Sequence, residues 1–426
     1  MGMRWAGPAM MACAAALLAI GVVIVRSAEA RIDPAAPMTV AAIAPGGAEA
    51  ARSALAASAA SRTTIYAGLA IATMLIASRF DPRRLGPGAG DGGELRPGVA
   101  AAWRGWPIAL LVGGALGLQA LTLVPGVGVE ANGAVRWLGL RVPGLGQVTF
   151  QPSEGVKWAM VLGLAWWGAA RGRAMRKAAT GLGPGLLLLG VGCGLVVLED
   201  LGTAVLIGAV GGVILLGAGG RIWQLAGVGL AGVAAAATMI AQSPFRMDRI
   251  LAFLDPWADP AGTGYHPIRS MAALAQGGWS GNGLGFGVQK FGYLPEDTTD
   301  FIYAIVCEEL GLAGAVMVVG LLLAVAWLAW RIGAESGHRF VALAALGVAA
   351  TLGLQAVINV AVVTVVMPTK GIALPLVSHG GTGWVITAAM LGLLAGADRH
   401  GSAEVVDAKK ADALADATPG GARLAT

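Results

Sequence analysis

The residues with the most chemical potential are charged side chains at the ends of long apolar segments. Asp300 directly precedes the apolar run that begins with Phe301 and Ile302. A carboxylate at such a junction can have a raised proton affinity, which suits a general base. As an isolated feature, the same residue could simply cap a helix. Asp300 is therefore the first candidate for a catalytic residue.

A second group of charged residues lies at other segment starts and within one segment. Glu154 and Lys157 are three residues apart, so a helix would place them on one face, where they could pair. Glu154 could equally stabilise the start of that helix. Asp200 lies in a tight turn, where capping the next helix is the favoured role. Glu308 and Glu309 are adjacent acids inside an apolar segment, where they need partners, water or protons.

Three cations are candidates for binding a negatively charged ligand. Lys370 lies in a short connection between the last two apolar segments, and Arg246 and Arg249 lie in the polar stretch 242–300. Each could meet a phosphate group, or could merely anchor the chain at an interface. With four histidines and no ligand-like spacing, the sequence predicts no tight protein-built metal site.

The composition indicates which elements must position these residues. Of 426 residues, 56% are hydrophobic and 12% are charged, whereas roughly 25% are charged in soluble domains. The 29 Lys and Arg residues form short clusters between apolar runs, which argues against a nucleic-acid partner. The runs long enough to cross a membrane are 5–25, 63–78, 106–124, 153–170, 181–198, 201–219, 222–241, 301–330, 340–366 and 380–397. The sequence therefore predicts an all-α polytopic membrane protein with about ten transmembrane helices.

The distribution of charge predicts the orientation. The loops within 79–104, 171–177, 221 and 331–339 hold twelve basic and four acidic residues, and loops rich in Lys and Arg stay in the cytoplasm. Both termini are then cytoplasmic, and 242–300 forms a large extracytoplasmic loop between helices 7 and 8.

The remaining stretches complete the predicted organisation. Residues 1–397 form one transmembrane domain, with an irregular outer loop over 27–62, and 398–426 are predicted to be a disordered cytoplasmic tail. The first apolar run could be a cleaved signal peptide, but its length favours a retained helix.

A set of short motifs between about residues 130 and 397 resembles one known family. The motifs are Asn132-Gly133 with Arg136-Trp137, Gln151-Pro152-Ser153-Glu154 with Lys157, Asp200-Leu201-Gly202-Thr203, Phe253-Leu254-Asp255-Pro256-Trp257, Tyr293-Leu294-Pro295-Glu296, Thr299-Asp300-Phe301, Glu308-Glu309-Leu310-Gly311, Pro368-Thr369-Lys370-Gly371, and Ser378. Together they resemble the SEDS family (shape, elongation, division and sporulation proteins). The segment with Trp257 and the Pro-Thr-Lys-Gly turn are more similar to the FtsW division branch than to the RodA elongation branch. Thr299, Glu199 and His379 depart from the family pattern.

The resemblance implies a peptidoglycan glycosyltransferase of the bacterial cytoplasmic membrane that polymerises lipid II beside a class B penicillin-binding transpeptidase. It places the family's essential aspartate at Asp300 and its cavity residues at Glu154, Lys157, Asp200 and Lys370; we add Ser378 as a substrate-binding candidate. No tightly bound cofactor is expected, although a divalent cation, Mg²⁺ or Mn²⁺, could accompany the pyrophosphate.

Two alternatives from other classes stay open at this point. One is a lipid II flippase or related transporter, whose ionisable residues should lie near the bilayer midplane. The other is a catalytically idle scaffold for a transpeptidase. The predicted position of the charged residues at the outer interface favours catalysis, and the choice between division and elongation is left open.

Overall fold

The computed structural model describes residues 5–29, 61–87, 99–131, 134–142, 146–290, 294, 298–379 and 381–417. These residues form twelve α-helices and a three-stranded sheet. The helices are α1 (Ala6–Glu29), α2 (Arg62–Ala77), α3 (Val99–Thr122), α4 (Pro152–Arg171), α5 (Gly183–Val197), α6 (Leu201–Gly217), α7 (Ile222–Ala241), α8 (Pro244–Leu254), α9 (Tyr265–Gly277), α10 (Ile302–Glu335), α11 (Arg339–Val363) and α12 (Thr382–Ala417).

A helix lies at each of the ten predicted apolar segments, which confirms an all-α polytopic membrane fold. Within the described residues, length and apolar character alone identify six candidate spans, in α1, α3, α5, α7, α10 and α11. Helices α2 and α6 are apolar but have only 16 and 17 residues, fewer than the ~20 that a straight crossing needs. The number of crossings therefore stays a prediction.

The centre of the bundle is built on α11, which packs against α4, α6 and α10. At Gly347 a Cβ atom would lie 2.7 Å from Ile214 Cδ1 and 2.7 Å from Val161 Cγ1. The glycine therefore lets three helices approach closely, as small residues do in membrane bundles. Helix α7, in contrast, has no buried residue in the described chain.

The antiparallel sheet between α3 and α4 was not predicted. Its strands are β1 (Gly128–Ala131), β2 (Ala134–Val142) and β3 (Gly146–Phe150), in the order β1-β2-β3. Such short strands between long apolar helices are easily taken for a loop. The pair Asn132-Gly133 was the available signal, because Asn-Gly is the sequence most typical of two-residue hairpins.

The C-terminal region differs from the prediction of a disordered tail that begins at residue 398. Helix α12 continues to Ala417. Ala and Lys favour helix, and extending an existing helix avoids the cost of nucleation. Residues 418–426 lie outside the described residues, as does most of the predicted 27–62 loop.

Candidate functional site

The start of α6 positions Asp200. Its Oδ1 accepts hydrogen bonds from the backbone N–H of Gly202 at 2.9 Å and of Thr203 at 3.1 Å, and its Oδ2 accepts one from Thr203 Oγ1 at 2.8 Å. Asp200 is therefore the N-cap of α6, which confirms the capping prediction. The side chain of Lys370 lies across the same helix start, because a Cβ on Gly202 would overlap Lys370 Cε.

Lys370 is one of four cations that influence one another at this point. Burial is the main factor that lowers the pKa of Lys370 to about 8, and Asp200 partly opposes the shift. Arg249, Arg246 and Arg136 lower that pKa further, because each disfavours another positive charge nearby. The structure thus brings the three predicted cations together, and it adds Arg136, which the sequence supplied only as part of a motif.

Arg249 links these cations to the candidate base. Burial and Arg136 lower the pKa of Arg249, whereas the charges of Asp300 and Asp200 raise it. Its Nη1 lies 3.4 Å from the carbonyl oxygen of Thr369, in the connection between α11 and α12 that also carries Lys370. The two aspartates and the cations therefore share one electrostatic environment.

Asp300 is half-buried and lies one residue before Phe301, the N-cap of α10. Asn359 Nδ2 donates to the carbonyl oxygen of Asp300 at 2.9 Å and to that of Ile372 at 2.7 Å. A Cβ on Gly371 would lie 2.7 Å from Asp300 Oδ2. The carboxylate therefore faces residues 369–374, which we call the 369–374 segment.

Glu154 and Lys157 form the predicted ion pair at the start of α4. Lys157 Nζ is 2.8 Å from both carboxylate oxygens of Glu154 and 3.2 Å from Gln355 Oε1. Gln355 Nε2 in turn donates to the carbonyl oxygen of Ala373 at 2.8 Å. The pair is thus connected to the 369–374 segment through α11.

Gln355 and Asn359 are the functional residues that sequence reasoning missed. Both are buried, at 6% and 1% exposure, and they lie one turn apart on α11. Each bonds to the backbone of the 369–374 segment. The available signal was two amide side chains at i and i+4 in an otherwise apolar helix, which places them on one face.

Two other candidates have local roles in the structure. Ser378 is 1% exposed, and its Oγ accepts a hydrogen bond from the backbone N–H of Leu374 at 2.7 Å. The Ser378 hydroxyl therefore stabilises the connection between α11 and α12. Arg246 Nη1 lies 3.4 Å from the carbonyl oxygen of Met239, near the end of α7.

His379, a departure from the family pattern, joins three elements beside the site. Its Nδ1 lies 3.2 Å from Thr63 Oγ1 and 3.9 Å from Glu29 Oε1. Its backbone N–H donates to Thr298 O at 2.9 Å. Burial lowers the pKa of His379, and Glu29 opposes that shift.

A carboxylate beside several cations can remove a proton while the cations stabilise a negative leaving group. Among the residues that the structure describes, no three His, Cys, Asp or Glu side chains are grouped to hold a metal. The geometry therefore defines a class of polytopic membrane protein with a site of aspartates and cations at the starts of α6 and α10, in α8 and in the 369–374 segment.

Comparison with known proteins identifies the family within that class. Residues 38–403 match the FtsW/RodA/SpoVE family, described as cell cycle protein, and the chain belongs to this family. It is 40% identical over 291 residues to the probable peptidoglycan glycosyltransferase FtsW of Nitrosococcus halophilus, covering 68% of this chain and 73% of that protein. Its identity to the protein of the same description from Thioalkalivibrio sulfidiphilus is 44% over 293 residues, covering 67% and 71%.

Solved structures agree with this assignment. One is a chain from work on the structural coordination of polymerization and crosslinking by a peptidoglycan synthase complex, with a TM-score of 0.62, 26% identity, and 92% and 97% of the two chains covered. Another is the rod shape determining protein RodA of Thermus thermophilus, with a TM-score of 0.56, 25% identity, and 92% and 95% covered.

Proposed function

We propose that this protein is a peptidoglycan glycosyltransferase that polymerises lipid II during cell division. The observation that carries the proposal is that the Asp300 carboxylate faces Gly371, next to Lys370, while Arg249 Nη1 lies 3.4 Å from the carbonyl oxygen of Thr369, in a chain of this family. Relatives about 40% identical are described as probable peptidoglycan glycosyltransferases FtsW, which supports the division branch.

In the proposed reaction, Asp300 takes the proton from the C4 hydroxyl of one lipid II sugar as that oxygen attacks the anomeric carbon of another. The glycosidic bond forms as the bond to undecaprenyl pyrophosphate breaks. A positioned base contributes roughly 10²–10⁴-fold to such a step. Arg249, Arg246, Arg136 and Lys370 stabilise the negative charge of the departing pyrophosphate.

The other residues hold this arrangement in place. Glu154 and Lys157 act on the 369–374 segment through Gln355, and Asn359 fixes that segment against the backbone of Asp300. Asp200 keeps the start of α6 in position under Lys370. These contacts support positioning roles around the substrate.

A divalent cation is not needed for any step that we derive. The described residues offer no cluster of carboxylates for a resident metal. Mg²⁺ or Mn²⁺ would therefore be bound mainly by the pyrophosphate oxygens of the substrate itself.

The setting that fits this reaction is the bacterial inner membrane, with both termini in the cytoplasm and the site on the outer face. The distribution of basic loops supports that orientation. The partner we propose is a class B penicillin-binding transpeptidase, which would crosslink the new strands. The resemblance to a chain from a peptidoglycan synthase complex supports such a partner.

The direct test uses the purified full chain in detergent micelles with fluorescent lipid II, followed by electrophoresis of the products. We expect glycan strands from the protein alone or with its transpeptidase partner. A protein that moves lipid II across vesicle membranes without making polymer would instead be a flippase. A protein that raises transpeptidase activity without making polymer would be a scaffold.

A further inference from the structure

A buried cluster outside the proposed site joins three distant parts of the chain. Lys290 Nζ lies 2.9 Å from Glu309 Oε1 on α10 and 3.1 Å from Ser27 Oγ on α1. Ser27 Oγ donates to the Glu309 carboxylate at 2.7 and 2.8 Å. The side chains of Lys290 and Glu309 are 1% and 0% exposed. The proposed reaction uses none of these groups.

The neighbouring acid holds the same stretch of chain. Glu308 Oε1 accepts hydrogen bonds from the backbone N–H of Val288 at 2.6 Å and of Gln289 at 3.2 Å. The two adjacent acids, for which the sequence demanded partners, therefore bind residues 288–290 from consecutive positions of α10. A buried charge without such partners would be costly.

Asn282 and Gly283 lie beside an interruption of α10. Gly311 has φ of 65° and ψ of −166°, which interrupts the helix. The carbonyl oxygens of Glu308 and Glu309 instead accept hydrogen bonds from the backbone N–H of Asn282 and Gly283, both at 3.0 Å. Residues 277–290, here called the 277–290 segment, are thus joined to α10 by both backbone and side-chain contacts.

The composition of the 277–290 segment explains why it needs a fixed attachment. Between residues 277 and 287 it contains six glycines, each of which loses more conformational freedom on folding than any other residue. Buried ion pairs add little net stability, but in some systems they specify one register among several. Lys290 and Glu309 form a buried ion pair at the end of the glycine-rich stretch.

The attachment at Lys290 lies shortly before the candidate base in the chain. Asp300 follows Lys290 by ten residues. In between, Leu294 is 1% exposed and its backbone N–H donates to Gln289 O at 2.9 Å. At the far end, Asn359 holds the carbonyl of Asp300. The chain therefore has fixed contacts at Lys290, at Leu294 and at Asp300.

We propose that Ser27, Lys290 and Glu309 form a positioning lock that sets the placement of Asp300 and ties it to the end of α1. The proposal rests on the proposed function for its catalytic consequence, since the lock acts through Asp300 and touches no substrate. A displacement of the end of α1 would alter the position of Asp300 through the hydrogen bonds of Ser27 to Glu309 and Lys290.

The test compares Lys290→Met with the double variant Lys290→Met/Glu309→Leu, both as full chains in micelles. Lys290→Met leaves a buried carboxylate without its cation, whereas the double variant removes both charges. We expect the double variant to fold to the parent yield. Its kcat should be about 10- to 100-fold lower than that of the parent, with KM within about 3-fold, since a small displacement of a catalytic group costs that much. Parent kcat in the double variant would overturn the lock and leave only a structural pair.

Hydrogen exchange gives a second readout that does not depend on activity. Amides of residues 278–290 should exchange at least about 10-fold faster in both variants, and unchanged exchange would overturn the lock. Arg331→Met is the matched control, because Arg331 forms a 2.8 Å ion pair with Glu335 at the other end of α10. If the parent makes no polymer, the proposed function fails, and the exchange rates alone decide the lock.

Discussion

Lys157 and Lys370 contribute to neighbouring parts of one site in opposite ways. Lys157 is 2% exposed and lies 2.8 Å from the carboxylate of Glu154. Lys370 is half-buried; burial is the main factor that lowers its pKa to about 8, and three arginines lower it further. A close acid satisfies the charge of Lys157 within the protein, whereas burial and nearby cations make the charge of Lys370 costly until an anion binds. A lysine thus has a structural role at position 157 and a ligand-binding role at position 370.

Among the variants that test this contrast between the two lysines, Lys370→Ala should have the largest effect. Removing one group that stabilises developing charge costs roughly 10²–10³-fold, so we expect kcat for lipid II polymerisation to fall about 100-fold. Lys370→Arg should keep part of the activity, because the charge remains on a side chain of different shape. Parent kcat in the alanine variant would reduce Lys370 to an anchor and remove the contrast with Lys157.

The pH dependence tests the lowered pKa of Lys370 directly. If the protonated form binds the pyrophosphate, kcat/KM should fall about 10-fold between pH 7 and pH 9 as the free enzyme loses this proton. Over the range from about 8 to the ordinary value of 10.5, the unfolded chain binds more protons than the native protein, so stability should rise as activity falls. Lys370→Arg should flatten the activity profile, and an identical fall in both proteins would assign it to another group.

A smaller effect is expected from Gly202→Ala. The new Cβ would overlap Lys370 Cε, and the flexible lysine would move while α6 keeps its Asp200 cap. We expect kcat to fall about 5-fold with an unchanged melting temperature, because a displaced catalytic group loses part of its effect. Gly212→Ala is the matched control, because a Cβ there meets nothing within 4 Å. Equal activity of both variants would mean that catalysis does not depend on the present position of the Lys370 side chain.

The smallest effect on catalysis should come from Lys157→Met. Breaking a buried pair is destabilising, and because Glu154 keeps 20% exposure we expect a loss of about 2 kcal/mol in stability. The kcat of the folded fraction should fall only about 2-fold, since the 369–374 segment keeps the hydrogen bond from Asn359 to the carbonyl oxygen of Ile372. A loss as large as that of Lys370→Ala would place Lys157 at the substrate and make the two lysines equivalent.

The features that depend on single residues or on long apolar patterns could be predicted from the sequence. The apolar segments predicted ten of the twelve described helices but not α8 and α9, which lie within the predicted 242–300 loop. The i, i+3 spacing predicted the pair of Glu154 and Lys157. The grouping of Lys370 with Arg249 could not be derived in this way, because it depends on how distant segments pack. Gln355 and Asn359 escaped notice because amides carry no charge, and their role appears only when their backbone partners are known.

The central claim is that Asp300 is the general base, and Asp300→Asn tests it most directly. The amide keeps the shape of the side chain but cannot accept the proton. With folded yield and lipid II binding equal to those of the parent, we predict a polymerisation rate at least about 100-fold lower. An asparagine variant that folds, binds lipid II and polymerises it at the parent rate would contradict the account.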